Sequence, residues 1–195
     1  MAVHVLLNEV GAPVTLKNVA GPTRPAEYLA LNPRGSVPTL VEDNFVLREG
    51  AAVLITVAEK HNSPLLPASG RERARALEWL AFANATMHPA YGRAFFMHRH
   101  LGDEAKNNPL YDHVVAAIQG LWNDVENTLQ TQDYVCGKSC TLADILLTVI
   151  ANWSPNIQKP ITFGPKTRGL FQRVTARPAY QQALKEENVT YKVAA

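Results

Sequence analysis

The hydrophobic periodicity of this chain changes once, at Asn62 to Gly70 (NSPLLPASG). Before that break, helical and alternating stretches are mixed. After it, the apolar runs return at the three-to-four-residue spacing of helices. A chain patterned this way folds as a mixed α/β unit over residues 1–61 followed by an all-helical unit over 70–195, an α+β architecture. Its 195 residues suffice for one large unit or two small ones, with a sizeable core.

In the first unit, Val3, Leu6, Leu7 and Val10 recur at helical spacing until Gly11 and Pro13 stop the run. Val14 to Val19 alternates as a strand would. Pro22, Thr23 and Pro25 mark a loop, a short helix covers Ala26 to Leu31, and Asn32-Pro33-Arg34-Gly35 is a turn. Two strands, Pro38 to Val41 and Phe45 to Leu47, meet at a tight turn on Asp43-Asn44, and a helix runs from Gly50 to Lys60. In the second unit the spacing predicts one long helix from Arg71 past Met87 toward His98, kinked at Pro89 and Gly92. A second helix spans Tyr111 to Thr131. A third opens on Thr141-Leu142-Ala143-Asp144, a capping signal placed directly before the apolar run Ile145 to Ile150. Shorter helices follow Pro165 and Pro178.

Composition narrows the function classes. A net charge of +2, with no concentrated run of Lys and Arg, argues against nucleic acid and against an acidic membrane surface. No stretch of about 18 apolar residues could span a bilayer, and no early segment reads as a signal peptide. Cys136 and Cys140 are spaced C-x3-C, which is neither a redox pair nor half of a zinc site; reduced structural thiols in a cytoplasmic protein are expected. His98 and His100 lie two apart on a helix and point away from each other, so no metal is expected there.

Four segments carry a family resemblance. LNPRGSVPTLVEDNFVLREGAAVLITVAEK (residues 31–60) joins an N-P-[KR]-G turn, a Val-Pro pair, a hairpin and an acidic residue opening a helix. YVCGKSCTLADILLTVIANW (134–153) carries the capping signal. WLAFANATMHPAYGRAFF (79–96) and RVTARPAYQQALKEE (173–187) supply the long helix and the ending. Together they resemble the glutathione transferases, and Glu49-Gly50 resembles the bacterial beta class. The resemblance implies a thioredoxin-like glutathione-binding half followed by an all-α half. It also implies glutathione as co-substrate, a small hydrophobic electrophile as second substrate, and a homodimer.

By that resemblance, Val37 and Pro38 form a cis peptide whose Val main chain pairs with the cysteinyl unit of glutathione. Glu49 and Gly50 hold the γ-glutamyl end, with the helix N-terminus facing its carboxylate. The alternative for Glu49 is plain helix capping. Arg34 and Arg24 are candidates for the glycyl carboxylate. His88 matches a histidine facing the cleft between the halves, although the Lys that follows it in the family is Pro89 here. Phe82, Tyr91, Phe95, Phe96 and Trp153 are candidates for the electrophile pocket.

The resemblance further implies an internal first strand and a thiol-orienting Tyr, Ser or Cys ahead of the position matched by His4. Met1 already falls inside the first helix, so these are expected to be lacking. The tail Val189 to Val193 alternates like a strand and is a candidate to fill the vacant place. Two functions follow: conjugation of the glutathione thiolate to electrophiles, or a glutathione-binding or dimeric interaction protein without that chemistry.

Overall fold

The computed structural model describes residues 1–19, 21 and 23–193; Pro22 of the expected loop and the last two residues of the helical half lie outside them. The architecture is α+β and mostly helical. The first half comprises α1 (Ala2–Glu9), α2 (Ala26–Leu31), β1 (Thr39–Glu42), β2 (Phe45–Arg48) and α3 (Gly50–Lys60). β1 and β2 pair antiparallel, Thr39 opposite Arg48 and Glu42 opposite Phe45. Asp43 takes the positive φ (51°) that the tight turn needs and that Asp tolerates. An isolated hairpin is marginal in water. Here α3 packs against both strands, and Leu40 and Leu47 lie against the core.

Val14 to Val19 does not form the expected strand. Among the described residues it joins no sheet, and Val14 and Leu16 stay exposed. Alternation records a fit to a pleated surface; the ladder itself needs a second edge to take up the N–H and C=O groups. The described sheet has two strands, and α1 is preceded by none.

The compositional break, Asn62 to Gly70, is pinned rather than loose. Leu65 and Leu66 are buried, and the Leu65 carbonyl accepts from the Leu142 N–H (2.9 Å). α4 (Gly70–Ala81) then leads through a π-helical turn, Phe82–Met87, into α5 (His88–Leu101). This is the predicted long helix, with its irregularity one turn earlier than expected. Pro89 cannot donate to the fourth residue back, and the wider π turn just ahead of it absorbs that missing bond. Gly92 sits within regular helix and marks no kink.

α6 (Pro109–Thr128) is capped by Asn108, whose side chain accepts from the Leu110 N–H (2.9 Å). α7 (Leu142–Ala151) is the centre of the helical half, buried at every position but Leu146 and packed against α1, α4, α8 and the π turn. α8 (Pro165–Thr175) and α9 (Pro178–Glu186) close the fold. α9 lies along α1, where the buried His4 ring sits between Glu186 (2.6 Å) and Glu187 (3.0 Å), and Arg177 grips Glu9. Val5, Leu6 and Leu7 are buried there, each contributing about 1.5–3 kcal/mol.

The tail does not extend the sheet. Residues 189–193 lie on the helical half, tied to Asn152, with Tyr191 against Phe171 and Tyr180. An aromatic side chain that finds a core edge outweighs alternation with no strand beside it.

The start of α8 depends on Gly164. Glu126 of α6 accepts from the Thr167 N–H and hydroxyl (2.7 Å each) and from the Lys166 N–H (3.2 Å), filling the orphan donors of that helix end. A Cβ on Gly164 would stand 2.2 Å from the Glu126 carboxyl carbon. Gly164→Ala is therefore expected to push the Glu126 carboxylate aside and cost about 1–2 kcal/mol in urea unfolding. The double variant with Glu126→Ala should lose little more than Glu126→Ala alone, since the clash is then gone.

Candidate active site

A fixed turn presents the first cluster. Asn32 is fully buried, and its amide donates to the Ser36 carbonyl (2.8 Å) and to the Thr39 hydroxyl (3.2 Å). Tyr28 reaches the same two residues through its hydroxyl. Arg24 spans the loop, donating from Nε to Gly35 O (2.9 Å) and from Nη1 to Val19 O (2.6 Å). Gly35 takes φ 65°, which favours glycine. These bonds hold Ser36 and Thr39 on either side of Val37-Pro38, whose peptide is cis. Val37 is 58% exposed, and its main chain makes no hydrogen bond among the described residues.

α3 begins against this turn. A Cβ at Gly50 would lie 3.5 Å from the Pro38 ring, so the helix mouth and the open Val37 main chain are neighbours. No side chain caps that mouth, and its first turn carries no acid. Glu49 reaches instead to Arg34 (3.1 Å), both about two-thirds exposed. Glu49 is the N-cap residue of α3, but its carboxylate makes no capping hydrogen bond there. Glu49 has φ 73° and ψ 116°, a region that non-glycine residues rarely occupy and that costs of order 1–3 kcal/mol. The turn thus brings together Val37, Pro38, Glu49, Gly50 and Arg34. Arg24 does not join them as a free cation: two of its nitrogens brace the loop beneath.

His88 heads a second cluster. Its ring lies edge-on to Trp153 at 4.9 Å, and Trp153 in turn meets Tyr91 (6.1 Å) and Phe95 (6.3 Å). The Tyr91 hydroxyl is buried, pairs with the Ser154 hydroxyl (2.5 Å) and accepts from Trp122 Nε1 (2.8 Å). Burial pushes that phenol up to about 12, so it serves as a neutral hydrogen-bonding strut. The five candidate pocket aromatics separate. Tyr91, Phe95 and Trp153 gather at His88, while Phe82 pairs with Trp79 and Phe96 stacks on His100 at the surface.

Crowding by these rings lowers the His88 pKa from its ordinary 6.5 through desolvation of the charged form. The native state then binds less proton than the unfolded chain between that lowered value and 6.5. This contribution to stability is full above 6.5 and declines as pH falls through the window. An NMR titration should find the His88 ring below 6.5, and Trp153→Ala should move it back up. An unshifted ring would show that the contact with Trp153 does not persist in solution.

Neither cysteine is suited to nucleophilic work. Burial pushes Cys136 up to about 11 and Cys140 up to about 12, the opposite of an activated thiol. Among the described residues no cluster of His, Cys, Asp and Glu could hold a metal, and no helix is long and apolar enough to cross a membrane. Three features escaped the sequence reading: the Tyr91–Ser154–Trp122 network, the Glu126 brace and the tie of Asn152 to the tail. Each joins residues tens of positions apart, with no local signature.

Comparison with known proteins bears on the whole chain. Residues 1–60 match the family model for the glutathione S-transferase N-terminal domain, and residues 83–178 match the one for the C-terminal domain. The chain is 30% identical to glutathione S-transferase GST-4.5 of Xanthomonas campestris pv. campestris, covering 97% of this chain and 94% of that protein. It superposes on BphK, a bacterial glutathione transferase solved as a ternary complex, with TM-score 0.83 and 29% identity over 96% of this chain and 94% of that one. A sphingomonad glutathione S-transferase complexed with glutathione aligns with TM-score 0.77 and 27% identity, covering 97% and 94%. A turn, hairpin and helix that set an open main chain beside an uncapped helix mouth, on a scaffold matched along nearly its whole length, place this chain in the glutathione S-transferase family.

Proposed function

We propose that the chain binds glutathione across the Val37–Gly50 cluster and joins its thiolate to a small hydrophobic electrophile held against His88 and Trp153. The observation that carries this reading is the neighbouring pair of unmet needs: an unbonded Val37 main chain and an uncapped α3 N-terminus. An extended tripeptide meets both. Its cysteinyl main chain pairs with Val37 while its γ-glutamyl carboxylate takes the N–H groups and positive dipole end at Gly50. Glu49 accepts from the ligand's ammonium, and Arg34, released from Glu49, turns to the glycyl carboxylate. Gly50, without a side chain, lets the ligand approach closely. Glutathione bound to the sphingomonad relative supports the ligand assignment.

The reaction is displacement or addition by sulfur. The thiol loses its proton, the thiolate forms a C–S bond to the electrophile, and a leaving group departs where one is present. Neutral His88 and the Trp153 ring supply an apolar wall with a polar edge. A homodimer in the cytoplasm completes the proposal. Calorimetric titration with glutathione beside a chlorodinitrobenzene conjugation assay tests it. Saturable binding with turnover is expected. Absence of binding rejects the cradle, and binding without turnover rejects the transfer reaction.

A further inference from the structure

We infer that Asn152 and tail residues 190–192 form a strap that sets the Trp153 ring, making the C-terminal tail a specificity determinant for the apolar part of the second substrate. α7 ends at Ala151, and the chain turns through Asn152, Trp153 and Ser154. The two residues flanking Trp153 are each tied to a different part of the fold. On one side, Asn152 gives both ends of its amide to a single stretch of tail backbone: Nδ2 donates to Thr190 O (3.0 Å) and Oδ1 accepts from the Lys192 N–H (2.7 Å). That reciprocal pair is what one strand offers another, delivered by one side chain. On the other side, the Ser154 hydroxyl pairs with buried Tyr91, which Trp122 holds in turn. The backbone of Trp153 is also fixed, its N–H donating to Ile150 O (2.9 Å).

The two anchors differ in strength. Tyr91, Trp122 and Ser154 are buried and fully engaged. The tail is held less firmly. Its start is tied by Val189 N–H to Leu184 O (2.9 Å), and Tyr191 packs against Phe171 and Tyr180 at 6.3 and 6.1 Å. The Tyr191 hydroxyl is nevertheless buried without a hydrogen-bond partner among the described residues, which works against docking. Tyr191 and Val193 anchor the tail on the core, and the Asn152 clamp fixes the backbone of residues 190–192 beside Trp153. Loosening it frees one side of Trp153 while leaving the Val37–Gly50 cluster untouched.

This inference rests on reading the His88–Trp153 face as the electrophile side, and the test separates the two. The probes are glutathione and S-hexylglutathione; the ratio of their dissociation constants reports the apolar part of binding. With 5-fluorotryptophan incorporated, the Trp153 fluorine line, assigned through Trp153→Phe, reports the ring itself. Asn152→Ala should shift that line and shrink the S-hexylglutathione advantage by about 3–10-fold, the equivalent of one to two hydrogen bonds. The glutathione constant should stay within about twofold. Asn152→Asp, which keeps the acceptor for Lys192 and loses the donor, should recover part of the advantage. If Trp153→Ala collapses the advantage while Asn152→Ala changes neither ratio nor line, the strap is wrong and the electrophile face stands. If Trp153→Ala leaves the ratio unchanged, the face itself is misassigned and the strap falls with it.

Discussion

Replacing Asp144 by alanine is expected to lower the unfolding free energy by about 4 kcal/mol and the melting midpoint by roughly 10 °C. Asp144 is the third residue of α7 and has no exposed surface. One carboxylate oxygen accepts from the Thr141 N–H (2.7 Å) and the Thr141 hydroxyl (2.9 Å); the other accepts from the Val135 N–H (2.9 Å). Loss of a helix cap alone costs about 1 kcal/mol. Here two backbone N–H groups would also be left buried and unpaired, at about 1–3 kcal/mol each. Domain stabilities of about 5–15 kcal/mol make this a large fraction of the whole. Asp144→Asn should rescue only part, because its NH2 group must face one of the two N–H donors. Thermal unfolding followed by circular dichroism gives the answer. A loss below about 1 kcal/mol would mean that the turn over residues 135–141 relaxes and finds water.

That capping box was legible in the sequence because it is local: cap, acid and apolar run stand within a few residues of one another. The hairpin and the Asn32–Gly35 turn were legible for the same reason. Two segments with an equally clear alternation, Val14 to Val19, expected as a strand, and Val189 to Val193, a candidate for one, are not strands. Alternation says that a segment could lie on a sheet, whereas a free edge in reach decides whether it does. The first finds no edge among the described residues. The second gains more by burying Tyr191 against the helical core. Arg24 shows a different failure. A loop arginine reads as a free cation, and only the folded loop reveals the two carbonyls that claim it. Pro89 announced a break in the long helix, but a π turn and a simple kink satisfy the same missing donor, and sequence does not choose between them.

Glu49→Gly is expected to weaken glutathione binding by about 10–100-fold while leaving the fold as stable as before or up to about 1 kcal/mol more stable. The two halves of that expectation have separate causes. Glu49 holds a backbone conformation with φ 73° that glycine, lacking a Cβ, adopts with less strain. Removing the side chain therefore relieves strain in the native state, and the added freedom of the unfolded chain offsets part of that gain. The side chain contributes little to the free protein, since its ion-pair partner among the described residues is exposed Arg34, and such surface pairs are worth about 0–1 kcal/mol. In the complex the situation reverses. The ligand's ammonium would find Glu49 beside the mouth of α3 with the tripeptide covering it from water. A charge-assisted bond of this kind is worth about 1.5–3 kcal/mol. Glu49→Gln keeps an acceptor oxygen without the charge and should fall between, with a weaker dependence on salt than the parent. Isothermal titration, with thermal unfolding of the same samples, separates affinity from stability. An unchanged constant in Glu49→Gly would show that the ammonium end does not dock at this helix mouth, and the ligand orientation along Val37 would then have to be reversed.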